Sequence, residues 1–229
     1  MISPTVEDYL KAIYKLQKGK DKVTTSAIAE RLQLSNATVT SMIKKLAKQK
    51  YVKHISYHGV VLTDAGEKVA VKVIRRHRLV ELFLKEILKL EWDKVHDEAE
   101  RLEHYISDEI LDSIDRVLGY PKADPHGDPI PTKSGDIENI DDRYTLADAE
   151  VGKTLTIHSV SDGDPKKLRF MFKLGLLPGV SISIRSKTPF EGDLDIKVGK
   201  SHYHLPLEVA KKIYVTQVEE TLNHVDKKH

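Results

Sequence analysis

The chain has 229 residues, 40% hydrophobic and 31% charged, enough to build packed cores and suited to two or three small domains rather than one. Cysteine is absent, which removes disulfides, thiolate zinc sites and cysteine nucleophiles together, so any metal must be held by imidazole, carboxylate, carbonyl or water. The net charge of +2 hides an asymmetry: residues 1–60 carry 11 Lys or Arg against 4 Asp or Glu, and the remainder 26 against 31. A basic front end suited to a polyanion is thus joined to an acidic body.

Ser3-Pro4 opens a helix, with Val6, Leu10, Ile13 and Leu16 at helical spacing through Gln17 and Asp8 on the same helix. Thr24 or Thr25 caps a second helix with Ile28, Ala29 and Leu32 facing inward. After the turn Gln33-Leu34, Ser35 caps a third carrying Val39, Met42, Ile43 and Leu46. That third helix presents Ser35, Asn36, Ala37, Thr38, Thr40 and Ser41 at its start, followed by Lys44 and Lys45. Small polar residues at a helix start can touch base edges in a major groove, and lysines one turn later can reach phosphates. With Thr25 at the preceding helix, these residues form the candidate DNA-binding set. Residues 51–63 read as two short strands around a turn at His58-Gly59, the wing of a winged helix.

Thr63 caps a long helix through Val80 and beyond, with Val69, Val73, Leu79 and Leu82 as its apolar stripe and His77 and Glu81 at i and i+4. The apolar stretch at 82–92, with Ile106, Ile110, Leu111 and Ile114, supplies either a helical dimer interface or ordinary core. Residues 119–135 hold four of the nine prolines and start a linker, in which His126 reads as a turn residue. From Gly152 the pattern changes to short β runs punctuated by Gly and Pro, with one helix, PKKLRFMFKLG, between the first two: a small barrel. The expected domains are a winged helix-turn-helix at 1–72, a helical domain at 73–140 and a barrel at 150–225. No apolar run of membrane-spanning length and no signal-peptide pattern occurs, which predicts a cytoplasmic protein without membrane contact.

Asp8, His77, His96, Glu100, Glu103 and His104 are hard nitrogen and oxygen donors spread over three segments. On a helix turning about 100° per residue, His96 and His104 lie about 80° apart, with Glu100 and Glu103 within or beside that arc. Carboxylates crowded in this way repel unless a cation neutralises them, so the segment is either a divalent metal site or a solvated charged face.

These segments resemble the diphtheria toxin repressor family of metal-dependent transcriptional regulators, and within it the manganese-responsive members. The resemblance runs through VEDYLKAIYKL at 6–16, the winged helix, RRHRLVELFL at 75–84, KVHDEAERLEHYISDEI at 94–110, HGDPIP at 126–131 and LGLLPG at 174–179. It implies a mainly α protein with a helical dimerisation domain and a C-terminal SH3-like β-barrel. It implies a regulatory metal held by Asp8, Glu100, Glu103 and His104. A second metal would be held by His77, Glu81 and His96, completed from the barrel by Asp164, with Asp162 as its competitor. Iron-responsive members place methionine and cysteine where this chain has Asp8 and Glu100, and carboxylates favour a hard cation, so Mn²⁺ is expected, with Fe²⁺ as the alternative. Short manganese-responsive members carry a bridging glutamate where this chain has Lys11, which implies two separated sites here.

The expected function is a manganese-dependent repressor of metal-uptake genes that binds an inverted repeat in double-stranded operator DNA as a metal-activated homodimer. Without metal, Asp8 would repel Glu100 and Glu103 and leave the N-terminal helix free to move. The alternatives are an iron-responsive regulator of the same family and, from another class, a metal-dependent hydrolase. No HExxH, nucleophile elbow or phosphate loop occurs, so the chain is not expected to be an enzyme.

Overall fold

The computed structural model describes residues 2–17, 22–55, 59–138, 143–161, 163–188 and 192–217. Asp162, the turn residue His58 and the C-terminal histidines lie outside the described residues. The chain divides into two compact units. The first comprises residues 1–90, 95–124 and 129–138; the second comprises 91–94, 125–128 and 139–229.

In the first unit, α1 (Pro4–Gln17) buries Val6, Tyr9, Leu10 and Ile13 on one face. The helix α2 (Thr25–Leu32) starts at Thr24, whose side chain accepts from the amide of Ala27 at 3.1 Å, and ends at Gln33 in the left-handed conformation (φ 54°). The next helix, α3 (Asn36–Lys48), is capped by Ser35 and buries Val39, Ile43 and Leu46, which leaves its other face to solvent. The strands β1 (Val52–Ile55) and β2 (Gly59–Leu62) pair antiparallel as the wing. Val23 exchanges two backbone hydrogen bonds with Val60, tying the wing to the segment before α2. Gly59 has φ +100°, and a Cβ there would stand 2.6 Å from the carbonyl oxygen of Val23, so only glycine lets the two backbones meet. These elements share one core with Ala70.

Helix α4 (Asp64–Glu86) runs unbroken across position 72, where the first domain was expected to end. Its first half closes the winged-helix core through Val69 and Ala70. Its second half packs Leu79 against Leu111, Ile114 and Ile130, and Val80 and Leu84 against Val95 and Ala99. The partners there come from α5 (Val95–Leu102), from α6 (Asp108–Val117), which is capped by Ser107, and, for Ile130, from the segment after α6. The apolar stretch 82–92 is split in use. Ile87 and Leu88 are exposed after the helix ends, whereas Trp92 is buried in the core of the second unit. The tract expected to start a linker is ordered: Ile130 donates to the carbonyl of Lys122 at 2.7 Å and is buried, and His126 sits in a turn at 1% exposure. Proline here ends helical structure without leaving the chain in solvent.

The second unit is a six-stranded antiparallel sheet. Its strands are β3 (Tyr144–Thr145), β4 (Thr154–Val160), β5 (Ser181–Lys187), β6 (Asp193–Val198), β7 (Ser201–Pro206) and β8 (Ile213–Gln217), in the order β3-β8-β4-β5-β6-β7. Alternating residues Leu155, Ile157, Ile182, Ile184, Leu194 and Ile196 fill its core, as period-two patterning dictates. The helix α7 (Pro165–Lys173) joins β4 to β5 and adds Leu168 and Met171, and α8 (Leu207–Ala210) joins β7 to β8. Strand β3 precedes the expected onset at 150; two residues are too few for periodicity to register. No helix among the described residues is long and apolar enough to cross a membrane.

Candidate functional site

The donor residues of the first unit come together from α1, α4, α5 and the turn after α5. One group is His77, His96 and Glu100, and another is Asp8, Glu103 and His104; in each, one ligand atom per residue lies within 4.8 Å of the others. The helical-face argument holds for His96 and Glu100 only. The helix α5 ends at Leu102, and the bond from Tyr105 to the carbonyl of Leu102 tightens the chain into a turn that carries Glu103 and His104 toward α1. Four residues read as one face thus serve two groups.

In the group facing α1, Nε2 of His104 is 2.9 Å from Oδ1 of Asp8 and 3.4 Å from Oε1 of Glu103. Its Nδ1 donates to Oε2 of Glu7 at 2.6 Å. A carboxylate behind the imidazole fixes the ring and leaves Nε2 toward Asp8 and Glu103, the arrangement of a metal-binding histidine. Arg76 approaches Glu7 at 3.6 Å and bonds Asp108 at 3.1 Å. Burial raises the pKa of Asp8, against the opposing pull of His104 and Lys11.

In the other group, Oε1 of Glu81 lies 3.0 Å from both His77 Nε2 and His96 Nδ1. The remaining nitrogen of His77 meets Oε2 of Glu103 at 2.7 Å, so Glu103, itself fully buried, links the two groups. Burial disfavours a charged His77, yet Glu81 and Glu103 outweigh it and raise its pKa above the usual histidine value.

The carboxylates are not left to repel one another. Lys11, 5% exposed, extends from α1 and donates to Oε1 of Glu100 at 2.7 Å and to Oε1 of Glu103 at 2.6 Å. Burial opposes its charge, but the two glutamates prevail and raise its pKa. Glu100 is correspondingly lowered: burial pushes it up, and Lys11 and His77 more than reverse this. Buried carboxylates held by protonated nitrogen are a set that can exchange protons for a divalent cation. With imidazole and carboxylate donors only, the residues fit a hard or borderline metal ion.

Asp164 caps α7, where Oδ1 accepts from the amides of Lys166 and Lys167 at 2.9 and 3.3 Å. Glu7 and Arg76 escaped the sequence reading. The available signal was Glu7 one residue before Asp8 and one helical turn before Lys11, which puts all three on one side of α1.

On α3, Ser35, Asn36, Ala37, Thr38, Ser41, Lys44 and Lys45 are exposed, while Thr25 and Thr40 are half-buried. Ser35 is engaged in its cap, accepting from the Thr38 amide at 3.2 Å and pairing with the Thr38 hydroxyl at 2.8 Å. The Thr40 hydroxyl donates to the carbonyl of Asn36 at 2.7 Å. Asn36, Ala37, Ser41, Lys44 and Lys45 thus carry the outward chemistry of this helix.

Comparison with known proteins places both regions in described domain families. Residues 1–60 match the family described as iron-dependent repressor, N-terminal DNA binding domain; residues 63–132 match its metal binding and dimerisation domain; and residues 144–217 match the FeoA domain. The chain is 38% identical over 124 residues to the HTH-type transcriptional regulator MntR of Oceanobacillus iheyensis, covering 54% of this chain and 84% of that protein. It is 28% identical over 225 residues to the iron-dependent repressor IdeR of Mycobacterium tuberculosis, covering 93% and 97%. Among solved structures, a manganese-dependent transcriptional repressor in complex with manganese superimposes with a TM-score of 0.88 at 37% identity, covering 93% of this chain and 100% of that one. The manganese regulator SloR gives 0.78 at 32%, covering 95% and 100%. The chain therefore belongs to the diphtheria toxin repressor family of metal-dependent transcriptional regulators.

Proposed function

We propose that this protein is a manganese-dependent transcriptional repressor that binds operator DNA as a homodimer and acts in the cytoplasm. The observation that carries the reading is the double duty of α1. Val6, Leu10 and Ile13 on one face belong to the winged-helix core, while Asp8 on another meets Glu103 and His104. A bound divalent cation would supply the positive charge that holds Asp8, Glu103 and His104 together. The regulatory ligand set is Asp8, Glu100, Glu103 and His104, with Glu100 also standing beside His77 and His96, and the second set is His77, Glu81 and His96. Asp164 is included as a further ligand on the family resemblance alone.

Because α1 is rigidly packed in the DNA-binding core, drawing Asp8 toward Glu103 and His104 fixes where α3 stands in each protomer. Two winged helices at a fixed spacing match an inverted repeat, with Asn36, Ala37 and Ser41 toward base edges and Lys44 and Lys45 toward phosphates. Ile110 and Val117, seven residues apart on α6 and 54% and 62% exposed, offer an apolar face to the second protomer. The donor set, free of sulfur, favours Mn²⁺ over Fe²⁺.

The test is selection of bound duplexes from a random pool with Mn²⁺, with Fe²⁺ under anaerobic conditions and with chelator. The operator found is then titrated with the Asp8→Ala and Glu103→Ala variants. An inverted repeat enriched only with Mn²⁺, and loss of metal-stimulated binding in both variants with unchanged far-UV circular dichroism, is the expected result. Full stimulation in both variants would sink the proposed switch, and enrichment with Fe²⁺ alone would make the protein an iron regulator.

A further inference from the structure

Lys11 touches both donor groups at once. Its ammonium bonds Glu100, which belongs with His77 and His96, and Glu103, which belongs with Asp8 and His104. A surface lysine at this position would be screened and would swing away. This one is 5% exposed, and both of its partners come from the α5 segment, which the side chain joins to α1. A charge held there is screened by salt much less than one on the surface. We infer that Lys11 is an internal cation that competes with metal: it tethers α1 to the α5 segment through Glu100 and Glu103 in the metal-free protein, leaving Asp8 for the metal to draw in, and holds the Mn²⁺ affinity of both groups below what their donors alone would give. This inference rests on the proposed metal-centre reading of the two groups.

The physical reason is the local charge. Asp8, Glu100 and Glu103 bring three carboxylates to the two groups, Glu81 adds another 3.0 Å from His77 and His96, and Lys11 already satisfies part of that negative charge. A divalent ion entering either group meets a carboxylate whose lone pairs are shared with an ammonium, and it stands within a few ångströms of a like charge. At such separations in a partly buried site, charge–charge interactions are large enough to change affinity by about tenfold or more. Removing the ammonium has opposite consequences for the two states. The metal-free protein loses its two cross-links and gains uncompensated carboxylates, whereas in the metal-bound protein the ion compensates those carboxylates and a repulsion is relieved.

The experiment compares the wild-type protein with Lys11→Met, which keeps the aliphatic stem, and Lys11→Gln, which keeps an N–H donor without charge. Free Mn²⁺ is counted by electron paramagnetic resonance during titration, and thermal unfolding is followed with chelator and with saturating Mn²⁺. Both variants are expected to bind Mn²⁺ about tenfold or more tightly than wild type. They are also expected to melt at a lower temperature in chelator and to show a larger rise on adding Mn²⁺. Mn²⁺ affinity in both variants that is within about twofold of wild type, or weaker, overturns the competition. An unchanged or raised melting temperature in chelator overturns the docking role. If the wild-type protein binds no Mn²⁺, the metal-centre reading itself fails, and it does so independently of what the variants show.

Discussion

His104 has an environment that depends on one neighbour outside the ligand set. With Nδ1 committed to Glu7, the ring is turned so that Nε2 faces Asp8 and Glu103. Losing such a partner typically weakens metal affinity by about 10–100-fold. Glu7→Gln is expected to fall in that range by Mn²⁺ titration, because an amide can donate to the imidazole and favour the wrong tautomer; affinity equal to wild type would show that Glu7 does not orient the ring. The individual donors were legible in the sequence because imidazole and carboxylate side chains without cysteine leave few chemistries open. What each donor touches was not: His104 and Glu7 are 97 residues apart, and Lys11 and Glu103 are 92 apart, so no local periodicity connects them.

At the scale of elements, helix starts followed the residues that satisfy free amides. Thr24, Ser35, Thr63 and Ser107 each cap through a side-chain oxygen. Helix ends were harder to place, and α5 is the instructive case. Its acidic pattern continues through His104, but the helix stops at Leu102, where the Tyr105 amide bonds the Leu102 carbonyl in a turn that leads to Ile106 packed on the α4–α5 cluster. The early stop divides one apparent face between two donor groups. On α6, Leu111 and Ile114 are buried while Ile110 and Val117 are exposed, so the helix has an inner and an outer apolar surface. If the outer one joins protomers, Ile110→Glu should convert the protein to a monomer by light scattering and weaken operator binding by about a hundredfold, with secondary structure retained. A variant that stays dimeric would move the interface elsewhere.

Across the whole molecule there are two compact units, one whose clusters are built from α1–α6 and one whose core lies inside the β3–β8 sheet. The donor groups of the first unit lie entirely within it, whereas the single tryptophan, Trp92, is buried in the core of the second. Ligand binding stabilises the part that holds the ligand, by about 2.7 kcal/mol at a hundredfold excess over Kd. Mn²⁺ is therefore expected to raise the melting midpoint seen by helical ellipticity more than the midpoint seen by Trp92 fluorescence. Equal shifts would contradict separate melting of the two cores.

The sequence by itself determined the winged helix, the β domain, the chemical identity of the donors and the family to which the chain belongs. Each of these follows from residue type and short-range spacing, which persist whatever the rest of the chain does. Only the tertiary structure decided that α4 carries one continuous helix through two cores, that Glu100 stands with His77 and His96 while Glu103 links the two groups, and that Lys11 lies between them. Those facts depend on how α1 packs against α4 and on where the turn after α5 ends. Long-range packing, not local pattern, brings an ammonium on α1 within 2.7 Å of a carboxylate 89 residues away.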